Sequence, residues 1–239
     1  MVIPEPYAQG SSGELTQPFA IEVHPDVAVI CDFHAHLADS EIIGLLGGYW
    51  DRDSGVVYVQ APFPCRATER DDDGATDVEM DPASELSVRD VIQRHGMLVV
   101  GWYHSHPKFQ PDPSVTDIFN QRSYQALFRD EASGVEPFVG LIVGTYDTSM
   151  PTAKSIFRYF HVRSDTSTDN NKHKQITPML LKATVRTFRR GLTKQERLGR
   201  RDEAMRHLLD RQRRRRQRLG KRGLDLIDSE QQDWPKASS

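Results

Sequence analysis

Cysteine is nearly absent: Cys31 and Cys65 are the two in 239 residues. Two cysteines make no disulfide framework, so a reducing compartment is the expected setting. Neither has a neighbour at metal-ligand spacing, and both read as small buried hydrophobes. Long apolar runs are missing too. None approaches the ~20 residues of a membrane-crossing helix, so no membrane partner is expected. The first residues, MVIPEPYAQGSSGE, have neither a basic start nor an apolar core, which argues against a secretory signal. No internal repeat is visible, and no Cys-His or Ser-His-Asp arrangement points to covalent catalysis.

Net charge is also small, at −3, but it hides an asymmetry. Residues 1–181 carry 13 Lys/Arg against 26 Asp/Glu, residues 182–222 carry 17 against 4, and the last seventeen carry 1 against 4. An acidic body therefore precedes a basic arm. The length allows one well-buried domain plus an appendage.

What the chain does have is concentrated in residues 101–117, GWYHSHPKFQPDPSVTD. An apolar run, Met97-Leu98-Val99-Val100, leads into it. Side chains at i and i+2 of an extended segment share a face, so His104 and His106 can converge on one ion. Prolines 107, 111 and 113 bend the chain, and a helix is expected to begin near Ser114. Asp117, in its first turn, can close a third ligand position. Three N/O ligands leave the fourth position of zinc open, as a catalytic site requires. Plainer readings exist for the same residues. The histidines can be satisfied strand residues, Asp112 can cap the helix ahead of Pro113, and Ser114 with Asp117 has the spacing of a capping pair.

The combination HSHP, Ser114 and Asp117, with Glu41 in SEIIGLLGG, resembles the JAMM (MPN-plus) metalloprotease family. The words DFHAHL, EIIGLLGG, EMDP and GWYHSHPKFQPDPS carry the likeness, which covers about residues 25–162. It is to deubiquitinase-like MPN domains, including those that accompany SANT and SWIRM domains in histone deubiquitinases. The resemblance implies one zinc ion per chain on His104, His106 and Asp117. It gives Glu41 the role of general base and later acid, where the stretch alone suggests an exposed strand-end carboxylate. Ser114 would donate a hydrogen bond to the oxyanion. The implied reaction is hydrolysis of ubiquitin or ubiquitin-like isopeptide bonds, in the nucleus or cytoplasm. No room for SANT or SWIRM domains is expected in 239 residues, so the resemblance reaches a histone substrate only if the basic arm substitutes for them. A metal-free MPN scaffold is the alternative, as is a chromatin or nucleic-acid binder acting through residues 182–222. Any partner subunit is unreadable.

In chain order, residues 1–18 read as a loose leader, 19–163 as the catalytic domain, 164–177 as a linker and 178–239 as a basic helical extension. Strands are expected at 19–23, 40–48, 55–61, 138–144 and 155–162. Helices are expected from His24-Pro25-Asp26, with Val27, Ile30, Cys31, His34 and Leu37 as apolar stripe, from Met80-Asp81-Pro82, with Leu86, Val88, Val91 and Ile92, and over 118–128. His34 and His36 lie two apart on a helix and cannot share an ion. Glu69 and Asp71-Asp72-Asp73 read as a solvated loop. Leu181, Val185, Phe188 and Leu192 recur at helical spacing. Arg211 to Arg222 holds the run Arg213 to Arg216, fit for nucleic acid, nuclear import or a solvated helix face. The expected class is α/β, one MPN-type domain with a mixed central sheet flanked by helices.

Overall fold

The computed structural model describes residues 1–7, 17–68, 78–107, 110–145, 154–164 and 176–188. The elements are β1 (Glu5–Pro6), β2 (Ala20–Val23), α1 (Pro25–Ala35), β3 (Ile43–Asp51), β4 (Val56–Cys65), α2 (Pro82–Arg94), β5 (Leu98–Ser105), α3 (Val115–Leu127), β6 (Val139–Gly144), β7 (Ile156–Ser164), β8 (Ile176–Leu180) and β9 (Ala183–Val185). The α/β class and the mixed sheet are as expected. Nine strands run in the order β1-β8-β7-β6-β5-β3-β4-β2-β9. β5 pairs with β6, β2 with β4 and β9, and β1 with β8 in parallel, while the remaining neighbours are antiparallel. Among the described residues no helix is long and apolar enough to cross a membrane.

α1 packs against β4, β5 and β6, whereas α2 meets β3, β4 and β5 and α3 meets β6 and β7. Strand alternation divides the residues between these layers. Val139, Leu141 and Val143 of β6 join the core cluster with Val27, Cys31 and Ala35 of α1. Gly140, between them, faces Phe160 and the Gln121 side chain of α3. A bulge resets the alternation in β5. Gly47 pairs with Val99 and Leu46 with Gly101, which leaves Val100 as the extra residue. Val100 and Tyr103 both lie in the α1 core, and Trp102 bonds Gln121 on the other face. Bulges of this kind re-aim side chains next to functional sites. At Gly101 a Cβ would stand 2.4 Å from the Val139 carbonyl oxygen, so only glycine fits the close approach.

Four expectations need correction. Among the described residues the apolar spacing from Leu181 does not make a helix: residues 176–180 and 183–185 are strands, and the sheet continues through them beyond residue 163. Pro178 disfavours a helix interior, and β-branched Ile176, Thr177, Thr184 and Val185 suit pairing with the open edges of β7 and β2. Residues 1–7 are not loose. Glu5 and Pro6 pair with Met179 and Leu180, the Val2 amide donates to the Pro113 carbonyl at 2.8 Å, and the Tyr7 hydroxyl meets His161 Nδ1 at 3.4 Å. The α1 seam is Val27, Cys31 and Ala35, spaced by four, while Ile30 and Leu37 are exposed because Leu37 lies past the helix end and Ile30 is rotated off the seam. In α2 the buried apolar residue is Ile92, and Leu86 is exposed. Both cysteines are buried, free thiols. His34 meets the Tyr103 hydroxyl at 2.9 Å and His36 caps its own helix, so neither joins a metal cluster. Glu69, Asp71 to Asp73, most of the 164–177 stretch and the basic arm from residue 189 lie outside the described residues.

Candidate metal centre

The C-terminal end of β5 and the N-terminal end of α3 meet on the α3 face of the sheet. His104 is held in β5 between Ile43 of β3 and Ile142 of β6. Its ring stacks on Trp102, with centroids 4.7 Å apart and planes at 12°. Trp102 is itself fixed, since its Nε1–H donates to Gln121 Oε1 at 2.7 Å. His106 follows the strand end, where its backbone amide donates to the Val143 carbonyl at 2.9 Å. His106 Nδ1 lies 3.0 Å from the Gln110 carbonyl oxygen. A carbonyl only accepts, so Nδ1 carries the proton and the Nε2 lone pair is turned into the site.

Asp117 is fixed by the start of α3. Ser114 is the N-cap: its Oγ accepts from the Asp117 amide at 3.1 Å, and the Ser114 amide donates to Asp117 Oδ2 at 2.7 Å. This reciprocal pair is a capping box. Asp112 therefore does not cap the helix, and its carboxylate accepts from Arg158 instead. The same capping that starts the helix aims the Asp117 carboxylate at both histidines.

The donor atoms converge. His104 Nε2 lies 3.0 Å from His106 Nε2 and 3.2 Å from Asp117 Oδ1, and His106 Nε2 lies 3.6 Å from Asp117 Oδ2. A tetrahedron with bonds of ~2.0–2.1 Å has edges of roughly 3.3 Å. His104, His106 and Asp117 are all buried. His104 Nδ1 has no hydrogen-bond partner among the described residues. Two imidazole nitrogens and a carboxylate at these separations are placed to ligate one cation, and this N/N/O donor set fits a zinc ion. The carboxylates draw positive charge into this pocket. Burial alone would push the His106 imidazole down, but Asp117, the Gln110 carbonyl and Glu41 outweigh it and hold it above its ordinary value. Burial also opposes the Asp117 charge, yet the His104 imidazole and hydrogen bonds from both histidines and Ser114 keep it well below the usual carboxylate range.

Glu41 stands just ahead of β3 at the rim. Its Oε1 lies 3.7 Å from His106 Nε2, and its Oε2 accepts from the Val78 amide at 3.2 Å.

Residues 16–131 match the family described as JAB1/Mov34/MPN/PAD-1 ubiquitin protease. This is a JAB/MPN domain. The chain is 41% identical over 138 residues to the histone deubiquitinase MYSM1 of Branchiostoma floridae, covering 58% of this chain and 16% of that protein. It is 36% identical over 160 residues to the deubiquitinase MYSM1 of Homo sapiens, covering 67% and 18%. An MPN domain-containing protein of Danio rerio is 39% identical over 130 residues, covering 54% and 27%. The matched region thus spans less than a third of the length of each of these relatives.

Within the JAB/MPN domain, the five residues picked out from the sequence stand together at one sheet end. Sequence reasoning missed their supports. Ser105, between the two histidines, turns the other way: its Oγ accepts from the Ile42 amide at 3.0 Å and its amide donates to the Ile42 carbonyl at 3.1 Å. It thereby ties the segment bearing Glu41 to the segment bearing both histidines. Strand alternation, which puts Ser105 opposite to its neighbours, was the signal that could have found it. Beside the site, α2, α3 and strands β3 and β5 flank an open pocket of about 320 Å³, lined by Val78, Met80, Glu85, Trp102, Asn120 and Tyr124 among others.

Proposed function

We propose that the domain is a zinc-dependent isopeptidase that hydrolyses ubiquitin or ubiquitin-like conjugates. The observation that carries this reading is the convergence of His104 Nε2, His106 Nε2 and the Asp117 carboxylate, with Glu41 Oε1 3.7 Å from His106 Nε2. The relatives named as deubiquitinases support the substrate class.

His104, His106 and Asp117 would hold one zinc ion per chain. When bound, zinc lowers the pKa of water from about 15.7 to about 7 and polarises the scissile carbonyl. The protein supplies the rest. His106 keeps its proton on Nδ1 against the Gln110 carbonyl, so Nε2 stays available as a ligand. Glu41, its Oε2 anchored on the Val78 amide, takes the proton of the attacking water on Oε1 and returns it to the leaving lysine amine. Ser114 Oγ accepts from the Asp117 amide, which leaves its own proton free to donate to the oxyanion. One such donor is worth ~3 kcal/mol of barrier. The relative named as a histone deubiquitinase supports action in the nucleus.

The test is a panel of ubiquitin conjugates of different linkages, with a ubiquitylated histone among them, incubated with the full chain. Free ubiquitin should appear, stop with a zinc chelator and resume when zinc is restored. Zinc-loaded protein that cleaves none of them would leave the scaffold reading in place.

A further inference from the structure

Residues 110–114 lie between the two halves of the metal centre in the chain, and this stretch is stiff for a covalent reason. Pro111 and Pro113 each fix their own φ and confine the residue before them to extended backbone, so Gln110 and Asp112 are both restricted. A displacement at Asp112 is therefore carried to both ends of the stretch. At one end is the Gln110 carbonyl, which sets the tautomer of His106. At the other is Ser114, which caps α3 and orients Asp117.

Asp112 is 9% exposed, and its Oδ1 accepts from the guanidinium of Arg158 on β7. The sheet register explains the reach. His104 pairs with Ile142 and Ile142 with Arg158, so Arg158 lies in the row of His104 and on the same face. It stands two strands away, roughly 10 Å at ~4.8 Å per strand, which suits a long side chain. Two further contacts hold the stretch from outside the centre. Pro113 accepts from the Val2 amide at 2.8 Å, and Pro111 seats on Gly144, where a Cβ would come within 3.2 Å of its ring.

We infer that Arg158 is a positioning residue for the metal centre, acting through Asp112 to hold the Pro-Asp-Pro stretch in place. It touches no reacting atom. Removing it leaves the Asp112 carboxylate largely buried without its partner, and the stretch then moves to hydrate that charge. His106 loses its fixed tautomer and Asp117 its alignment. The effect on turnover rests on the isopeptidase reading, whereas the effect on metal binding does not.

The test uses the full chain and the variants Arg158→Gln, Arg158→Lys and Asp112→Asn. Zinc affinity is measured by competition with a chromophoric chelator, and coordination geometry by the visible spectrum of the cobalt-substituted protein. Arg158→Gln should weaken zinc binding ~10-fold or more and alter the cobalt spectrum, as loss of a group that orients a ligand does. Turnover should fall by at least ~10-fold in kcat with KM nearly unchanged. Arg158→Lys, which keeps the charge, should recover part of both. A lower melting temperature with wild-type zinc affinity and cobalt spectrum overturns the inference. If Arg158→Gln does not fold, Asp112→Asn, which keeps the buried volume, is read the same way, and wild-type affinity there overturns it equally. If the wild type binds zinc but cleaves no conjugate, the isopeptidase reading fails, and affinity and spectrum still decide the role of Arg158.

Discussion

Strand β6 faces two kinds of interior. Toward α1 it sends Val139, Leu141 and Val143 into a cluster that is almost all hydrocarbon. Toward α3 the sheet buries Trp102, His104, Gln121, Gln125 and Asp117, each held by named partners. Gln125 shows how demanding the second face is. Its amide donates to the Val162 carbonyl at 2.9 Å and accepts from the Val162 amide at 2.7 Å, completing the ladder of β7 beyond the end of β6. Hydrocarbon burial is non-directional and tolerates many arrangements. A buried polar network has essentially one arrangement that satisfies every member. The α1 face supplies stability, and the α3 face spends some of it on geometry.

Breaking the α3 face at its centre should give the largest effect. His104→Ala or Asp117→Ala leaves two protein ligands, so zinc should be lost and turnover abolished. Asp117→Ala also removes one half of the capping box and should melt earlier than His104→Ala. Metal analysis of the purified variants checks this, and full occupancy in either would place the ion elsewhere. Glu41→Gln should come next. The amide keeps the shape but cannot take the proton, so zinc content should stay near one per chain while turnover falls ~10²–10⁴-fold. A wild-type rate would reduce Glu41 to a structural strand end.

The contrast between the faces also explains what could be read in advance. His104, His106, Ser114 and Asp117 fall within fourteen residues of one another, and local geometry fixes most of their relation. Strand alternation and a helix cap are short-range rules, so the motif was legible. Glu41 was not legible from its own surroundings, because its place beside His106 depends on Ser105 joining two segments far apart in sequence. The β5 bulge at Val100 leaves no residue signature, since it is set by what β3 opposes to it. The helical spacing read from Leu181 falls on a segment whose residues 176–180 and 183–185 form strands, because the edges of β7 and β2 offer backbone partners that an isolated reading cannot see. Arg158 was missed for the same reason: its partner is on a loop, across two strands of the sheet.

Leu141→Ala tests the apolar face. It removes a fully buried side chain from the α1 core and should cost about 2–5 kcal/mol of stability. Below the melting transition its zinc affinity should match wild type, because Leu141 and the donor atoms lie on opposite sides of the sheet. Denaturant unfolding with zinc titration separates the two quantities, and a loss of metal affinity in folded protein would erase the division between the faces. Ser114→Ala reads both quantities on the α3 face. The lost cap should cost about 0.5–2 kcal/mol, and the lost oxyanion donor about 100-fold in kcat. A variant that melts earlier yet turns over at the wild-type rate would leave Ser114 as a cap alone.

His161 gives an effect that is absent at pH 7 and grows only on acidification, and it sharpens the comparison because it is a titratable side chain buried on the α1 side, against Phe19 and Tyr7. Its Nε2 meets the Glu136 carbonyl at 3.1 Å, so Nε2 carries the proton and Nδ1 accepts from the Tyr7 hydroxyl. Burial pushes the imidazole from 6.5 down to about 4, against the opposing pull of the Glu136 carbonyl. The folded state thus prefers the neutral ring, and the unfolded chain binds the proton first as pH falls. Stability from this group is complete above pH 6.5, declines as pH drops toward 4, and levels off once both states are protonated. At pH 5 the loss should be about 2 kcal/mol, rising to about 3 kcal/mol below pH 4. His161→Gln keeps an amide donor and acceptor without the titration, so its stability should fall less between pH 7 and pH 5. Denaturant melts of the two proteins at both pH values measure the difference. Parallel pH profiles would show that His161 is charged in the fold, and that the α1 face accepts a buried cation as readily as the α3 face does.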